Sequence, residues 1–188
     1  MTDHAVPADR FRYDSFTQAV HWLTLIAVAG VFVSGQIMDD MARGPARTQM
    51  IGLHVSVGLL VLVMTVLRLA RRVAAPQPEP IPGSPLVQMA ARAMHLTLYI
   101  LLVLVPVVGM AMVWAKGRSV GVFGLFTLPP LIAPDRELAD RLGDMHEIGA
   151  TLIVILAGVH ALAAIVHHAV LKDGAIARML PLGAARRG

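Results

Sequence analysis

Four long apolar stretches, separated by shorter polar segments, dominate the hydropathy pattern of the chain. They cover residues 17–37, 50–70, 89–115 and 146–171. A helix rises about 1.5 Å per residue, so each stretch is long enough to cross a hydrocarbon core of roughly 30 Å. The pattern therefore predicts an all-α membrane protein built as a bundle of four transmembrane helices.

The remaining segments define the predicted domain organisation. We expect an N-terminal cytoplasmic segment over residues 1–16, a membrane domain over 17–171 and a basic cytoplasmic tail over 172–188. The proline-rich residues 76–85 predict a stiff, extended connection. Residues 116–144 form the longest loop, and its polar end predicts a short amphipathic segment before the fourth helix. No apolar leader precedes the first stretch, so we expect no cleaved signal peptide.

Composition supports this interpretation and restricts the possible partners. Of the residues 56% are hydrophobic and 15% charged, more apolar and less charged than a soluble domain. The net charge of +4 does not indicate nucleic-acid binding, because the basic residues flank the apolar stretches rather than forming one patch. With both termini cytoplasmic, ten Lys and Arg residues lie inside and six outside, which agrees with the positive-inside rule.

The absence of cysteine limits the redox chemistry that the chain can support. Covalent c-type haem attachment, thiolate-ligated iron–sulfur clusters, disulfides and Cys-type zinc sites are all excluded. Any redox centre must be held by histidine or methionine.

Histidines at two depths form the most informative pattern. His146 and His160 are fourteen residues apart on the fourth helix, so they share one face about 21 Å apart. With the N-terminus inside, His21 lies in the inner half with His160, and His54 lies in the outer half with His146. Ionisable side chains in a membrane require a partner. Two histidines from facing helices suit the six-coordinate iron of a b-type haem, so the pattern predicts two haems.

Other histidines leave alternatives open. His95 is a rival of His21 as the inner ligand, because the third helix begins on the same side. His95, His167 and His168 lie near the inner end, where histidine can reach the membrane interface, so a structural or interfacial role is favoured for these three. A proton-coupled transporter that uses membrane histidines is a further, non-redox alternative.

Several motifs resemble the bacterial cytochrome b561 family over roughly residues 10–182. They are RYDSFTQAVHWL, MIGLHVSVGLLVLVMTVLRL, MHLTLYILLVLVPVVGM and MHEIGATLIVILAGVHALAAIVHHAVLKDGAIARMLP. The greatest likeness is to small four-helix members that act as superoxide:ubiquinone oxidoreductases. The resemblance implies a diheme cytochrome b of the bacterial inner membrane, with His21 and His160 ligating one haem and His54 and His146 the other.

The resemblance also implies an activity. Superoxide would reduce the outer haem, electrons would cross to the inner haem, and two such events would reduce a ubiquinone. His167 or His168, with His95 near the same level, could hydrogen-bond a quinone carbonyl and pass protons to it. Lys116 and Arg118 in the outer loop could attract the anion, although they could equally be solvated loop charges. The alternative function is an electron-carrier subunit that links a partner redox protein to the quinone pool.

Overall fold

The computed structural model describes residues 12–79, 81 and 83–180, and its main elements are four long helices. These are α1 (Ser15–Asp40), α2 (Pro45–Ala74), α3 (Pro85–Ala115) and α4 (Arg136–Val166). A π-helical turn, His167–Leu171, continues α4, and a 3₁₀ turn follows at Ile176–Arg178. All four helices are long and apolar enough to cross a membrane. The predicted four-helix membrane fold is therefore confirmed.

Local signals explain where the helices begin. The side chains of Asp14, Ser84 and Asp135 each accept a hydrogen bond from a backbone N–H in the first turn of the helix that follows. Because Asp135 caps the fourth helix, the polar run after it forms the first turns of α4. The expected separate amphipathic segment does not exist, and His146 lies ten residues inside the helix.

The outer surface of the bundle is apolar, whereas several polar side chains are buried. Many large apolar residues of the helices are exposed, among them Ile26, Leu96 and Leu162. Inside, Val61, Leu102 and Ile153 belong to one buried cluster that joins the helices. The buried polar side chains are Gln18, Thr24, Ser56 and Thr65. This distribution suits a protein whose outer solvent is hydrocarbon.

The two ends of the bundle are built differently, and we name them by what they contain. The loop end carries the α1–α2 connection and residues 116–135. The terminal end carries residues 12–14, the α2–α3 connection and the segment after α4. Since each helix reverses the direction of the chain, His54 and His146 lie in the half nearer the loop end. His21, His95 and His160 lie in the half nearer the terminal end.

A small β-hairpin at the loop end was missed by sequence reasoning. Strands β1 (Val120–Val122) and β2 (Phe126–Leu128) pair antiparallel, with Val122 opposite Phe126. Val120 and Val122 are buried in a cluster with Trp114 of α3. The Ser56 hydroxyl, on α2, accepts a hydrogen bond from Phe123 N–H at 2.8 Å and donates to Gly52 O at 2.8 Å. The hairpin is thus fixed to the helices, two residues along α2 from His54.

At the terminal end, the segment after α4 folds back onto the start of α1. Trp22 Nε1 donates to Met179 O at 2.8 Å, and Gln18 Nε2 donates to Arg178 O at 3.2 Å. Arg12 also donates to Leu180 O at 2.6 Å. Residues 1–11 and 181–188 lie outside the described residues, so the division into segments 1–16 and 172–188 remains a prediction.

Replacement of Ser56 by alanine should loosen the hairpin without unfolding the bundle. The change removes the acceptor of the Phe123 N–H from a partly buried hydrogen bond, so the loss should not exceed the cost of a fully buried donor without a partner, about 1–3 kcal/mol. Hydrogen exchange of the amides of residues 120–128 should accelerate. Thr48→Ala is the control, because this exposed side chain on the same helix bonds only the neighbouring Gly44 carbonyl. Equal protection of the hairpin amides in both variants would show that the Ser56 hydroxyl does not hold the hairpin in place.

Candidate cofactor site

The first histidine pair joins α2 to α4 in the half of the bundle nearer the loop end. The ring centres of His54 and His146 are 6.1 Å apart, and their planes are inclined at 65°. Two imidazoles that bind one metal ion from opposite sides, each through a bond of about 2 Å, have ring centres roughly 6 Å apart. The pair therefore has the separation that ligation of one iron requires.

Hydrogen bonds at Nδ1 orient both rings of this pair. His146 Nδ1 lies 2.9 Å from Val105 O, and because a carbonyl only accepts, His146 donates. Ser34 Oγ donates its hydrogen to Val31 O, so its oxygen accepts from His54 Nδ1 at 2.9 Å. With the protons on Nδ1, each neutral ring keeps its lone pair on Nε2. This is the arrangement typical of metal-binding histidines.

The space around the first pair is apolar and closely shaped to the rings. A pocket of about 60 Å³ between the helices is lined by both histidines and by apolar residues such as Phe32, Leu102 and Ile153. Gly109 of α3 faces the His146 ring, and a Cβ at this position would lie 2.8 Å from both Cε1 and Nδ1 of the imidazole. The ring occupies its position because residue 109 has no side chain.

The second histidine pair joins α3 to α4 in the half nearer the terminal end. The ring centres of His95 and His160 are 5.2 Å apart, inclined at 68°. This separation is shorter than that of the first pair, but the two rings again approach from facing helices. The structure thus brings His160 against His95, which the sequence had offered only as a rival of His21.

His21 has a different partner. Its Nδ1 lies 3.2 Å from Nη2 of Arg68, and a guanidinium only donates, so Nδ1 accepts. A neutral His21 in this arrangement carries its proton on Nε2, which is then not free to bind a metal ion. The Arg68 guanidinium also lies over the ring of Tyr99, 5.4 Å from its centre.

The other candidate residues fall at the two ends of the bundle. Lys116 and Arg118 are exposed between α3 and the hairpin. His168 is exposed, whereas His167 is half-buried and bonds Asp173, with 2.5 Å between Nδ1 and Oδ2. Asp173 was not predicted as a partner, because its contact depends on the tight turn after α4.

The donor set fits haem better than a bare metal ion. Within residues 12–79, 81 and 83–180, no three His, Cys, Asp or Glu side chains converge to hold a metal ion. The histidines come in pairs, and a pair suffices when a porphyrin supplies the other four ligands. The Nδ1 bonds of the first pair and its apolar pocket complete the fit. A haem at one level would be held by His54 and His146, and a haem at the other level by His160 with His95.

Sequence reasoning missed the residues that orient the rings. Ser34 and Gly109 are common residue types in membrane helices, and nothing in their spacing marks them as contacts of His54 and His146. The Val105 carbonyl is a backbone group with no sequence signal beyond the adjacent Pro106. Arg68 could have been noticed, since a charged residue near the end of an apolar stretch requires a partner.

Gly109→Ala should disturb the first pair specifically. The new methyl group would lie within 3 Å of His146, so the ring must turn and lose its bond to Val105 O. We expect the purified variant to lose the haem nearer the loop end, as measured by haem content and the reduced-minus-oxidised spectrum. Gly30→Ala is the matched control, because a Cβ there meets nothing within 4 Å. Full haem content in both variants would show that the close approach of His146 to Gly109 is not needed for haem binding.

Comparison with known proteins adds an independent line of evidence. The family model described as prokaryotic cytochrome b561 matches residues 12–182. Cytochrome b561 homolog 2 of Escherichia coli K12 is 36% identical over 177 residues, which cover 90% of this chain and 91% of the relative.

Two further relatives cover similar lengths. A protein of Yersinia pestis named "Probable superoxide oxidase CybB" is 32% identical over 171 residues, covering 90% of this chain and 96% of the relative. Cytochrome b562 of Cereibacter sphaeroides is 30% identical over 173 residues, covering 89% and 94% of the two chains. Together with the four membrane helices and the paired histidines, these matches show that the chain belongs to the prokaryotic cytochrome b561 family.

Proposed function

We propose that the protein is a diheme cytochrome b that oxidises superoxide at the loop end and reduces ubiquinone at the terminal end. As a member of its family it is an integral membrane electron-transfer protein that binds b-type haem. The observation that carries the proposal is the presence of two histidine pairs at two levels, each joining α4 to another helix. Such an arrangement provides two redox centres along the direction in which the helices cross the membrane.

The ligands are assigned from the orientation of the rings. His54 and His146 hold the haem nearer the loop end, supported by their 6.1 Å separation and their Nδ1 bonds. His160 and His95 hold the other, supported by the approach of their rings from facing helices; their ring centres, 5.2 Å apart, have to separate by roughly 1 Å to admit an iron atom. The sequence favoured His21 over His95, but in the structure Arg68 donates to His21 Nδ1. His21 remains the alternative ligand if Arg68 moves away.

The chemistry follows from ligation by two histidines at each level. Two haems b held by these histidine pairs would supply one-electron redox centres for electron transfer. The histidines fix the position of each centre, and the apolar lining of the bundle keeps water from the path between them. Two superoxide anions give two electrons and leave as two molecules of O₂. One ubiquinone takes these two electrons and two protons to become ubiquinol.

The assignment of superoxide as the donor combines two features. One relative carries the printed name of a probable superoxide oxidase. In this chain, exposed Lys116 and Arg118 lie beside the hairpin at the loop end, where positive charge would attract an anion. We place this end outside the bacterial inner membrane, with both termini cytoplasmic, because of the distribution of Lys and Arg.

The quinone is placed at the terminal end because of the position of His167. This residue is seven positions beyond His160, so it follows on the same face of α4, about 10 Å further along the helix axis. Its ring is half-buried, whereas His168 is exposed, and His95 is used as a ligand in our assignment. Of the three histidines considered for quinone binding, His167 therefore has the strongest support.

The competing function is an electron-carrier subunit that passes electrons between a partner redox protein and the quinone pool. It requires the same two haems and the same quinone site, so the ligand assignments do not distinguish the two functions. Reaction with superoxide in the absence of any partner does.

Single substitutions of the histidines should separate the two ligand sets. His54→Ala and His146→Ala should each remove the haem nearer the loop end, and His95→Ala and His160→Ala the other. His21→Ala should retain both, because its ring nitrogen is bonded to Arg68. The pyridine haemochrome content per chain and the reduced-minus-oxidised spectrum measure the result. Loss of a haem in His21→Ala, with full content in His95→Ala, would instead support His21 as the ligand.

The proposed activity is tested with purified protein in lipid nanodiscs, a steady flux of superoxide and a soluble ubiquinone analogue. Superoxide should reduce the haems and yield ubiquinol without a partner protein. In the double variant Lys116→Glu, Arg118→Glu, reduction by superoxide should be about tenfold slower at low ionic strength, and salt should diminish the difference.

The control variant reverses one charge at the opposite end of the bundle. Arg92→Glu changes an exposed arginine near the start of α3 and should leave the reaction with superoxide unchanged. If wild-type protein does not react with superoxide but is reduced by a co-purified redox partner, the electron-carrier function replaces the one proposed here. If wild-type protein reacts with superoxide and the double variant reacts at the same rate, Lys116 and Arg118 are ordinary loop charges.

A further inference from the structure

The turn after α4 contains a histidine–aspartate pair that the assignments above do not explain. His167 Nδ1 lies 2.5 Å from Asp173 Oδ2, and both side chains are partly buried, with 28% and 19% of their surfaces exposed. The other carboxylate oxygen, Oδ1, accepts a hydrogen bond from Ala175 N–H at 3.0 Å. The carboxylate is therefore held from both sides, and it in turn fixes the orientation of the imidazole.

The backbone between the two residues is specialised to bring them together. His167–Leu171 is a π-helical turn, and Lys172 after it adopts a left-handed conformation with φ of 53°. This reversal returns Asp173 towards His167, whose carbonyl also accepts from Asp173 N–H at 3.3 Å. A π-helical turn is uncommon and is frequent at functional sites. A turn that served only to end α4 would not require a carboxylate hydrogen-bonded to the imidazole.

The pair also lies in line with the proposed ligands. His146, Ile153, His160 and His167 repeat every seven residues on α4, and seven steps of about 100° return nearly to the same face. Ile153 is buried in the bundle. His167 is thus the next residue of this buried stripe beyond His160, at the terminal end.

We propose that His167 is the proton donor to the quinone and that Asp173 is its positioning residue, an inference that rests on the quinone reduction proposed above. Asp173 keeps the proton on Nδ1, so Nε2 is the atom that exchanges protons. When the ring is protonated, the Nε2–H bond breaks as an O–H bond forms on the quinone oxygen, and the bare Nε2 then takes a proton from water. Two such cycles supply both protons of ubiquinol, while two superoxide anions supply the electrons.

The surroundings of Asp173 keep it ionised, as this role requires. Partial burial acts to raise the pKa of Asp173, but the hydrogen bonds from His167 and Ala175 N–H and the charge of Arg178 together hold it below its usual value. Arg178 of the 3₁₀ turn acts on the Asp173 carboxylate through its charge, and the titratable neighbours within the same segment are His168 and Lys172. A carboxylate beside Nδ1 stabilises the protonated ring.

The test uses full-length protein in nanodiscs, with its haems reduced chemically beforehand and then mixed with a soluble ubiquinone. Oxidation of the haems is followed across the pH range in which histidine titrates. In Asp173→Asn the maximal rate should fall about tenfold, and the pH profile should move to lower pH, because the protonated ring loses its counter-charge. Asp173→Glu should recover most of the rate, and His167→Gln should lose about 100-fold.

Controls separate this proposal from the one on which it rests. Asp140→Asn, an exposed carboxylate of α4 near the loop end, should behave like wild type, and haem content should be unchanged in all these variants. If Asp173→Asn keeps the wild-type rate and pH profile, the positioning role of Asp173 is overturned; if His167→Gln keeps the wild-type rate, the proton-donor role is overturned while quinone reduction stands. If ubiquinone does not oxidise the reduced wild-type protein, the quinone site itself fails, and this proposal fails with it.

Discussion

Histidine side chains inside a membrane bundle must have their polar atoms satisfied, and most of the observed site geometry follows from this constraint. His146 donates to the Val105 carbonyl, and His54 donates to the hydroxyl of Ser34. Because these bonds use Nδ1, Nε2 of each neutral ring is left without a proton, and both rings line one apolar pocket. The same bonds that stabilise the buried rings therefore prepare them for a metal ion, and the two requirements cannot be separated in this bundle.

Each histidine pair also links two helices of the bundle. The first pair ties α4 to α2, and the second ties α4 to α3. A cofactor held in this way crosslinks helices that otherwise meet mainly through aliphatic side chains. In a lipid bilayer there is little hydrophobic driving force for contacts between such side chains. Binding of haem and assembly of the helices should accordingly stabilise each other.

The sequence predicts the bundle and the depth of each histidine, because both depend only on hydropathy and helical rise. It does not decide between His21 and His95 as the partner of His160, since both lie at the same depth and the choice depends on how the helices are rotated. Arg68 contributes to this choice through its bond to His21, a contact that spans 47 positions of the chain.

The hairpin was missed because its strands have only three residues each. Its position depends on the distant Ser56 rather than on a local pattern.

The seven-residue repeat on α4 has a consequence for how such a chain can change during evolution. His146, Ile153, His160 and His167 belong to one continuous helical segment, in which one inserted residue would turn everything beyond it by about 100°. Such an insertion between His146 and His160 would direct one of the two histidines away from the bundle interior. The connections between helices carry no such restriction, because their length does not alter the rotation of α4. Length variation should therefore collect in the loops, while the number of residues in α4 sets the distance between the two histidine pairs.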